Sequence, residues 1–244
     1  MLDWAAEEGW NPGLADALAF HATDPDGFFV AEVEGEIVAA ISVVNHSATF
    51  AFLGLYICRP AYRGRGIGYA LWTHALAHAG GRTVGLDGVP AQQANYAASG
   101  FVLTGQTRRY CGELTAPAPT GRAATDQDAT AIAQLDQEAN GFERPSFLRA
   151  WIPQDPTRKT VVLAEAGKIT GFATARLCRE GCKIGPIVAP GADQALGLAH
   201  QAASHLGQTE VIIDVPDHAG AFVRRLSAHG FEVSFETARM YKGP

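Results

Sequence analysis

The chain has 244 residues, of which 47% are apolar and 18% charged, with a formal net charge of −6. Such a composition excludes a disordered chain, and the acidic balance argues against nucleic acid, whose binding needs a basic face. The length suits two domains better than one.

No apolar run reaches the roughly 18 residues of a membrane span. Residues 1–4 lack the basic end and apolar stretch of a signal peptide, so a cytoplasmic protein with no membrane partner is expected. Cys58, Cys111, Cys178 and Cys182 are too few and too scattered for a disulfide framework. Cys178 and Cys182 could face each other across a turn, but no second pair completes a zinc site, and free thiols and no metal are expected.

In chain order, residues 28–33 read as a strand, Glu34-Gly35 as a turn and 36–44 as the returning strand. Residues 49–58, rich in aromatic and β-branched side chains, are a third strand. A helix over 66–78 carries Ile67, Leu71 and Ala75 on one face. A strand at 83–86, a helix at 91–99 and a strand at 101–110 complete the first half. Gly112-Glu113-Leu114-Thr115-Ala116-Pro117-Ala118-Pro119-Thr120 has little to bury and reads as a linker. The second half predicts strands at 161–165, 168–178 and 183–188, a helix at 193–205, a strand at 210–215, a helix at 219–229 and a strand at 231–241.

The halves echo each other. Gly100-Phe101 and Thr107-Arg108-Arg109-Tyr110 match Gly230-Phe231 and Thr237-Ala238-Arg239-Met240-Tyr241, and Val84-Gly85-Leu86-Asp87 matches Val211-Ile212-Ile213-Asp214. The order and spacing predict a duplicated unit, 1–115 and 116–244, each an α+β layer with a mixed sheet.

The informative segment is Ile57-Cys58-Arg59-Pro60-Ala61-Tyr62-Arg63-Gly64-Arg65-Gly66-Ile67-Gly68: strand, proline turn, basic glycine-rich loop, helix. Glycines allow positive φ and close approach of a ligand. The first N–H groups of a helix lack internal partners and carry positive partial charge, which suits a pyrophosphate. Arg63 and Arg65 add cationic donors. A Walker loop would need Gly-Lys-Ser/Thr, and a dinucleotide fold would need G-x-G-x-x-G after a first βαβ strand; neither is present.

The segment resembles the R/Q-x-x-G-x-G/A signature of the GNAT acetyltransferase superfamily, and Tyr96-Ala97-Ala98-Ser99-Gly100-Phe101 is similar to the family's Y-x-x-x-G-F. The resemblance is strong over residues 10–110. Gly9-Trp10-Asn11-Pro12 and Gly185-Pro186-Ile187-Val188-Ala189 extend it to a tandem GNAT subfamily. It implies acetyl-CoA as cosubstrate. The backbone at Ile57 and Cys58 would pair with the pantetheine arm, the amides from Arg65 through Gly66 and Ile67 to Gly68 would hold the pyrophosphate, and Arg63 and Gly64 would shape the loop. Tyr96 would protonate the departing thiolate, its alternative being a packed core tyrosine. Asp87 is the first candidate for the base and a water chain the second; Asp87 could instead cap a turn. Val89 stands where the family often has an Asn, and the family's opening strand has no counterpart, which points to a truncated or misassigned start.

In the second half, Pro190-Gly191-Ala192-Asp193-Gln194 offers one glycine and an aspartate, and Leu226 replaces Tyr96. This unit is expected to bind no acetyl-CoA and to shape a substrate cleft at the junction. His74 and His78 share a helix face but no third ligand follows, so no metal is expected. Cys58 as a covalent nucleophile is the lesser alternative to direct transfer. The expected activity is transfer of acetyl to a primary amine of a small molecule. Acetylation of a protein or peptide and non-catalytic sensing of acetyl-CoA stand as alternatives. A homodimer is left open.

Overall fold

The computed structural model describes residues 1–114 and 121–243. The first half comprises α1 (Leu2–Glu7), α2 (Asp16–Thr23), β1 (Phe28–Val33), β2 (Glu36–Asn45), β3 (Phe50–Cys58), α3 (Ile67–Ala77), β4 (Thr83–Gly88), α4 (Gln93–Ala98) and β5 (Val102–Glu113). The second comprises β6 (Arg122–Ala123), α5 (Ala129–Asn140), α6 (Pro145–Trp151), β7 (Arg158–Glu165), β8 (Lys168–Leu177), β9 (Cys182–Val188), α7 (Ala192–Ser204), β10 (Glu210–Pro216), α8 (Gly220–Ala228) and β11 (Glu232–Lys242). The two opening hairpins turn identically: Glu34-Gly35 and Ala166-Gly167 take left-handed φ values of 53° and 84°, and 49° and 79°. Two such residues match the twist of the strands they join.

The expected strands and helices are present, but the halves do not close separate sheets. One eleven-stranded sheet runs β1-β2-β3-β4-β11-β5-β10-β9-β8-β7-β6. The last strand of each half has crossed over: β11 fits between β4 and β5, and β5 fits between β11 and β10. Thr107 faces Thr237 across the central pair, so the two copies of the repeat are related by a pseudo-twofold axis at that point.

The exchange also corrects the linker. Gly112 and Glu113 are the end of β5, opposite Val211 and Glu210. Gly112 is small for a packing reason: a Cβ there would stand 2.5 Å from the ring of Phe231. Residues 115–120, with the boundary placed at 115/116, lie outside the described residues.

On one face of the sheet, Leu71, Trp72 and Ala75 of α3 and Tyr96 of α4 pack on Ile41, Leu53 and Leu86. Leu198 and Ala202 of α7 and Leu226 of α8 repeat this on Ala173, Ile184 and Ile213. The third cluster lies on the opposite face and joins the halves: Ala19 of α2 meets Ile132 of α5 and Phe147 and Trp151 of α6. Sequence analysis assigned neither α5 nor α6. α6 packs on α2 of the first half, and α5 packs on β8, β9 and α6 of its own half.

His46 is buried in this joint, with its ring within 6.5 Å of those of Phe20, Phe50, Phe142 and Phe147. Its Nδ1 is buried without a partner among the described residues. Burial, reinforced by Arg144 and opposed by Asp136 and Asp24, lowers its pKa to about 4. The unfolded chain therefore takes up this proton near pH 6.5 and the folded chain only near 4. Stability is full above pH 6.5 and falls as the pH drops through that window. The expected loss is about 2 kcal/mol between pH 6.5 and 5. Urea midpoints measured against pH check it, and His46→Leu removes this component of the slope.

Candidate active site

β3 and β4 run parallel and pair only from Phe50–Leu53 to Thr83–Leu86. Beyond Leu53 the strands splay into a V. Leu55 at the splay has φ 51°, and the register of β3 on β2 slips there. Arg59 donates its N–H to the Val38 carbonyl at 2.9 Å. In an antiparallel ladder the facing side alternates, so Ile57, opposite Ala40, also turns its backbone to β2, whereas Cys58 turns toward the V. Of the two strand residues expected to meet the ligand's arm, the geometry therefore presents the backbone of Cys58 and turns that of Ile57 away. The Cys58 carbonyl accepts from Arg63 Nε at 2.7 Å. The Cys58 thiol is pushed up by burial, with Arg63 pulling the other way, which disfavours a thiolate nucleophile.

The glycine-rich loop sits at the open end of this V. Gly64 and Gly66 have φ 73° and 78°, a region that suits glycine, with nothing within 4 Å of a hypothetical Cβ. Gly68 is glycine for space: a Cβ would stand 2.8 Å from Tyr56 Oη. α3 begins without a side-chain cap. Among the described residues, the amides of Arg65, Gly66, Ile67 and Gly68 have no acceptor. Together they form an open anion cradle. Arg63 shapes it through ion pairing with Glu8, just after α1, while Arg65 lies 5.3 Å over the Tyr62 ring.

Tyr96 stands at the inner end of the V. Its ring is stacked on Trp72 at 5.3 Å, and Gly88 makes room for it, since a Cβ there would be 2.9 Å from Tyr96 Cδ2. Burial, then the proximity of Tyr56, raises its pKa to about 12. Its hydroxyl has no hydrogen-bond partner among the described residues. It is thus both packed in the core and at the wall of the main cleft.

That cleft has a volume of about 690 Å³ and passes from the V across the strand-exchanged centre of the sheet. Its cover comes from elsewhere in the chain: Trp10 from the segment after α1, and Asn140 and Phe142 from the end of α5. Phe142 stacks on Phe50 at 3.6 Å. Lys183 of β9 and Arg109 of β5 both donate to the Trp10 carbonyl, at 3.2 and 3.3 Å, and pin that segment to the centre of the sheet. Burial, with Arg109 adding to it, lowers the Lys183 pKa to about 8.

Asp87, the first candidate for the base, is committed elsewhere. Both its oxygens accept from Arg239 of the exchanged β11, at 2.6 and 3.1 Å. Arg239 lies 5.4 Å over the Phe52 ring and donates to Tyr241 Oη at 3.3 Å. The fork occupies both oxygens of Asp87, so a base role would first require this pair to open. Across the pseudo-twofold axis the same fork recurs between Asp214 and Arg109, at 2.8 and 3.1 Å. The neighbours of the two forks differ: Phe235 lies opposite Arg109, and Gly105 lies opposite Arg239. Arg239, Tyr241, Gly105, Trp10 and Phe142 were not chosen from sequence. The repeated Asp and Arg positions in both halves were the available signal for the forks.

The second unit lacks the cradle. Gln194 folds its side-chain oxygen back over the start of α7, 2.8 Å from where a Cβ of Gly191 would be. Asp193 there pairs with Arg225 at 2.7 Å. Pro186, in the splayed part of β9, has no N–H to offer. Leu226, fully buried, fills the position of Tyr96. Elsewhere, His78 Nε2 lies 2.8 Å from Asp24, and His74 packs edge-on against Phe29. Cys178 and Cys182 are free and buried, and no group of three metal-ligating side chains is found among the described residues. No described helix is long and apolar enough to cross a membrane.

Comparison with known proteins agrees with this geometry. The acetyltransferase (GNAT) family matches residues 1–101, and an acetyltransferase (GNAT) domain matches residues 132–244. A holothin acyltransferase from Pseudoalteromonas sp. (strain SANK 73390) is 34% identical over 245 residues, covering 99% of this chain and 83% of that one. Among solved structures, a candidate acetyltransferase from Pyrococcus horikoshii superposes with a TM-score of 0.76 at 23% identity, over 94% of this chain and 78% of the other. A tandem GNAT protein from the clavulanic acid biosynthesis pathway, solved without AcCoA, gives 0.64 at 19% identity, over 96% and 89%. The chain belongs to the GNAT acetyltransferase family and is an acyltransferase built from two such domains in tandem.

Proposed function

We propose that the first unit binds acetyl-CoA in the V between β3 and β4 and transfers its acetyl group directly to a primary amine of a small molecule held in the covered cleft. The observation that carries this reading is the line formed by the open amide cradle, the V, Tyr96 and the cleft. The unpaired amides from Arg65 to Gly68 would bind the pyrophosphate. The backbone of Cys58 would align the pantetheine arm.

The amine nitrogen attacks the thioester carbonyl, a C–N bond forms and the C–S bond breaks. Tyr96 donates its proton to the departing thiolate and regains one from solvent. A pKa raised to about 12 keeps that proton in place throughout the ordinary pH range. With Asp87 held by Arg239, the proton of the attacking amine leaves through water. The cover supplied by Trp10 and Phe142 favours a small acceptor over a protein chain, and the relative named for holothin acylation agrees with that class. The acidic net charge is compatible with a cationic acceptor.

Free-thiol release from acetyl-CoA across a panel of primary amines tests the reading. Turnover should rise with pH toward the acceptor's own pKa, near 10 for a simple ammonium, because only the free amine attacks. No falling limb is expected below about pH 10. Tight acetyl-CoA binding without turnover of any amine would favour a sensor instead.

A further inference from the structure

The slot that mirrors the acetyl-CoA slot in the second unit is not filled in. β9 and β10 pair from Cys182–Ile184 to Val211–Ile213 and then splay, as β3 and β4 do. Behind the splay lies a second cavity of about 360 Å³. Its inner walls are apolar, with Ile184, Pro186, Ala192, Ala195, Val215 and Phe222, while Asp214 and His218 stand among its lining. Ala192 and Ala195, one turn apart on α7, keep it wide. It is continuous with the main cleft, since Pro186, Ile187, Asp214, Pro216 and His218 border both.

We propose that this vacated slot is a subsite for an apolar end group of the acceptor. The inference rests on the transfer reading above and names the acceptor's class: an amine at one end, a polar body and an apolar group at the other. The two V openings are separated by β11 and β5. From the middle of one opening to the middle of the other is four inter-strand steps, which put the apolar group about 19 Å from the reacting amine. The alternative occupant, a long acyl chain reaching across from the first V, is disfavoured by the floor between them. That floor carries Thr107, Thr237 and the Arg109 and Arg239 forks, and a hydrocarbon laid over it would strip water from charged groups. A polar acceptor body fits that floor, and its apolar end then meets the apolar inner walls of the slot.

A series of 4,7,10-trioxa-1,13-tridecanediamines, whose polar body is long enough to cross that floor, acylated on one nitrogen with groups of two to ten carbons, tests this. Wild-type kcat/KM for acetyl transfer should rise about fourfold for each methylene that enters the slot. Ala195→Phe, which fills the slot, should abolish the rise and leave the two-carbon member unchanged. Ala192→Phe, at the half-buried start of α7, carries the same reading if Ala195→Phe does not fold. A wild type indifferent to chain length, or variants that keep the rise, would overturn the proposal. Calorimetric binding of the series separates the two readings: chain-dependent affinity lost in Ala195→Phe, without thiol release from any member, upholds the slot and sinks the transfer reading. Affinity independent of chain length sinks the slot.

Discussion

Tyr96→Phe lowers kcat for acetyl transfer by about 10²–10⁴-fold and leaves the affinity for acetyl-CoA unchanged. The ring's packing survives the substitution, because the Trp72 stack and the fit over Gly88 involve ring carbons and not the hydroxyl. Only the proton donor is lost. The role is distinguishable from a structural one by the leaving group. A simple thiol has a pKa near 8.5, and its thiolate departs with help from a proton. With an acetyl thioester of a more acidic thiol the help matters less, so the penalty of Tyr96→Phe should shrink. Stopped assays with both thioesters check this. An equal penalty for both thioesters, or a penalty that appears only as lost thermal stability, assigns Tyr96 to packing alone.

The second large effect concerns the strand exchange. Chains 1–114 and 121–244, made separately, should not fold, and mixing them should restore a folded complex. In the separated first half β4 keeps only β3, and β5, flanked by β11 and β10 in the whole chain, has no neighbour left. In the separated second half β10 is left without β5, and β11 has no neighbour at all. Long unpaired edges of this kind expose backbone donors and acceptors and invite aggregation. Both forks, Asp87 with Arg239 and Asp214 with Arg109, are also divided between the halves. The combined loss exceeds the roughly 5–15 kcal/mol that holds a domain together. Circular dichroism and urea unfolding of each half are the measurement. Cooperative unfolding of residues 121–244 alone would contradict the exchanged sheet.

Much of this was legible in the sequence, and the reasons are local. The hairpins announce themselves by Glu34-Gly35 and Gly167, and the loop by glycines whose φ values other residues rarely take. Alternation and helical spacing placed the strands and α3 close to their observed limits. The repeat in sequence predicted two units of one fold. It could not show that their last strands trade places, because Thr107 and Thr237 occupy equivalent positions whether a strand pairs within its own unit or across. The linker erred for the same reason: Gly112 reads as a loop residue until Phe231 is seen to need its space. Asp87 read as a base while its partner, 152 residues on, was unknown. Nothing in α5 or α6 read alone marked α6 for its contact with α2 or the end of α5 for the cleft.

Acetyl-CoA titration calorimetry on wild type, Gly66→Glu and Gly191→Glu tests the central claim most directly. One site per chain is predicted, lost by at least 100-fold in Gly66→Glu, where a carboxylate enters the anion cradle, a loss of about 2.7 kcal/mol or more. Gly191→Glu, at the equivalent point of the second unit, should bind as wild type does. Two sites per chain, or loss on Gly191→Glu with Gly66→Glu unaffected, would contradict the account.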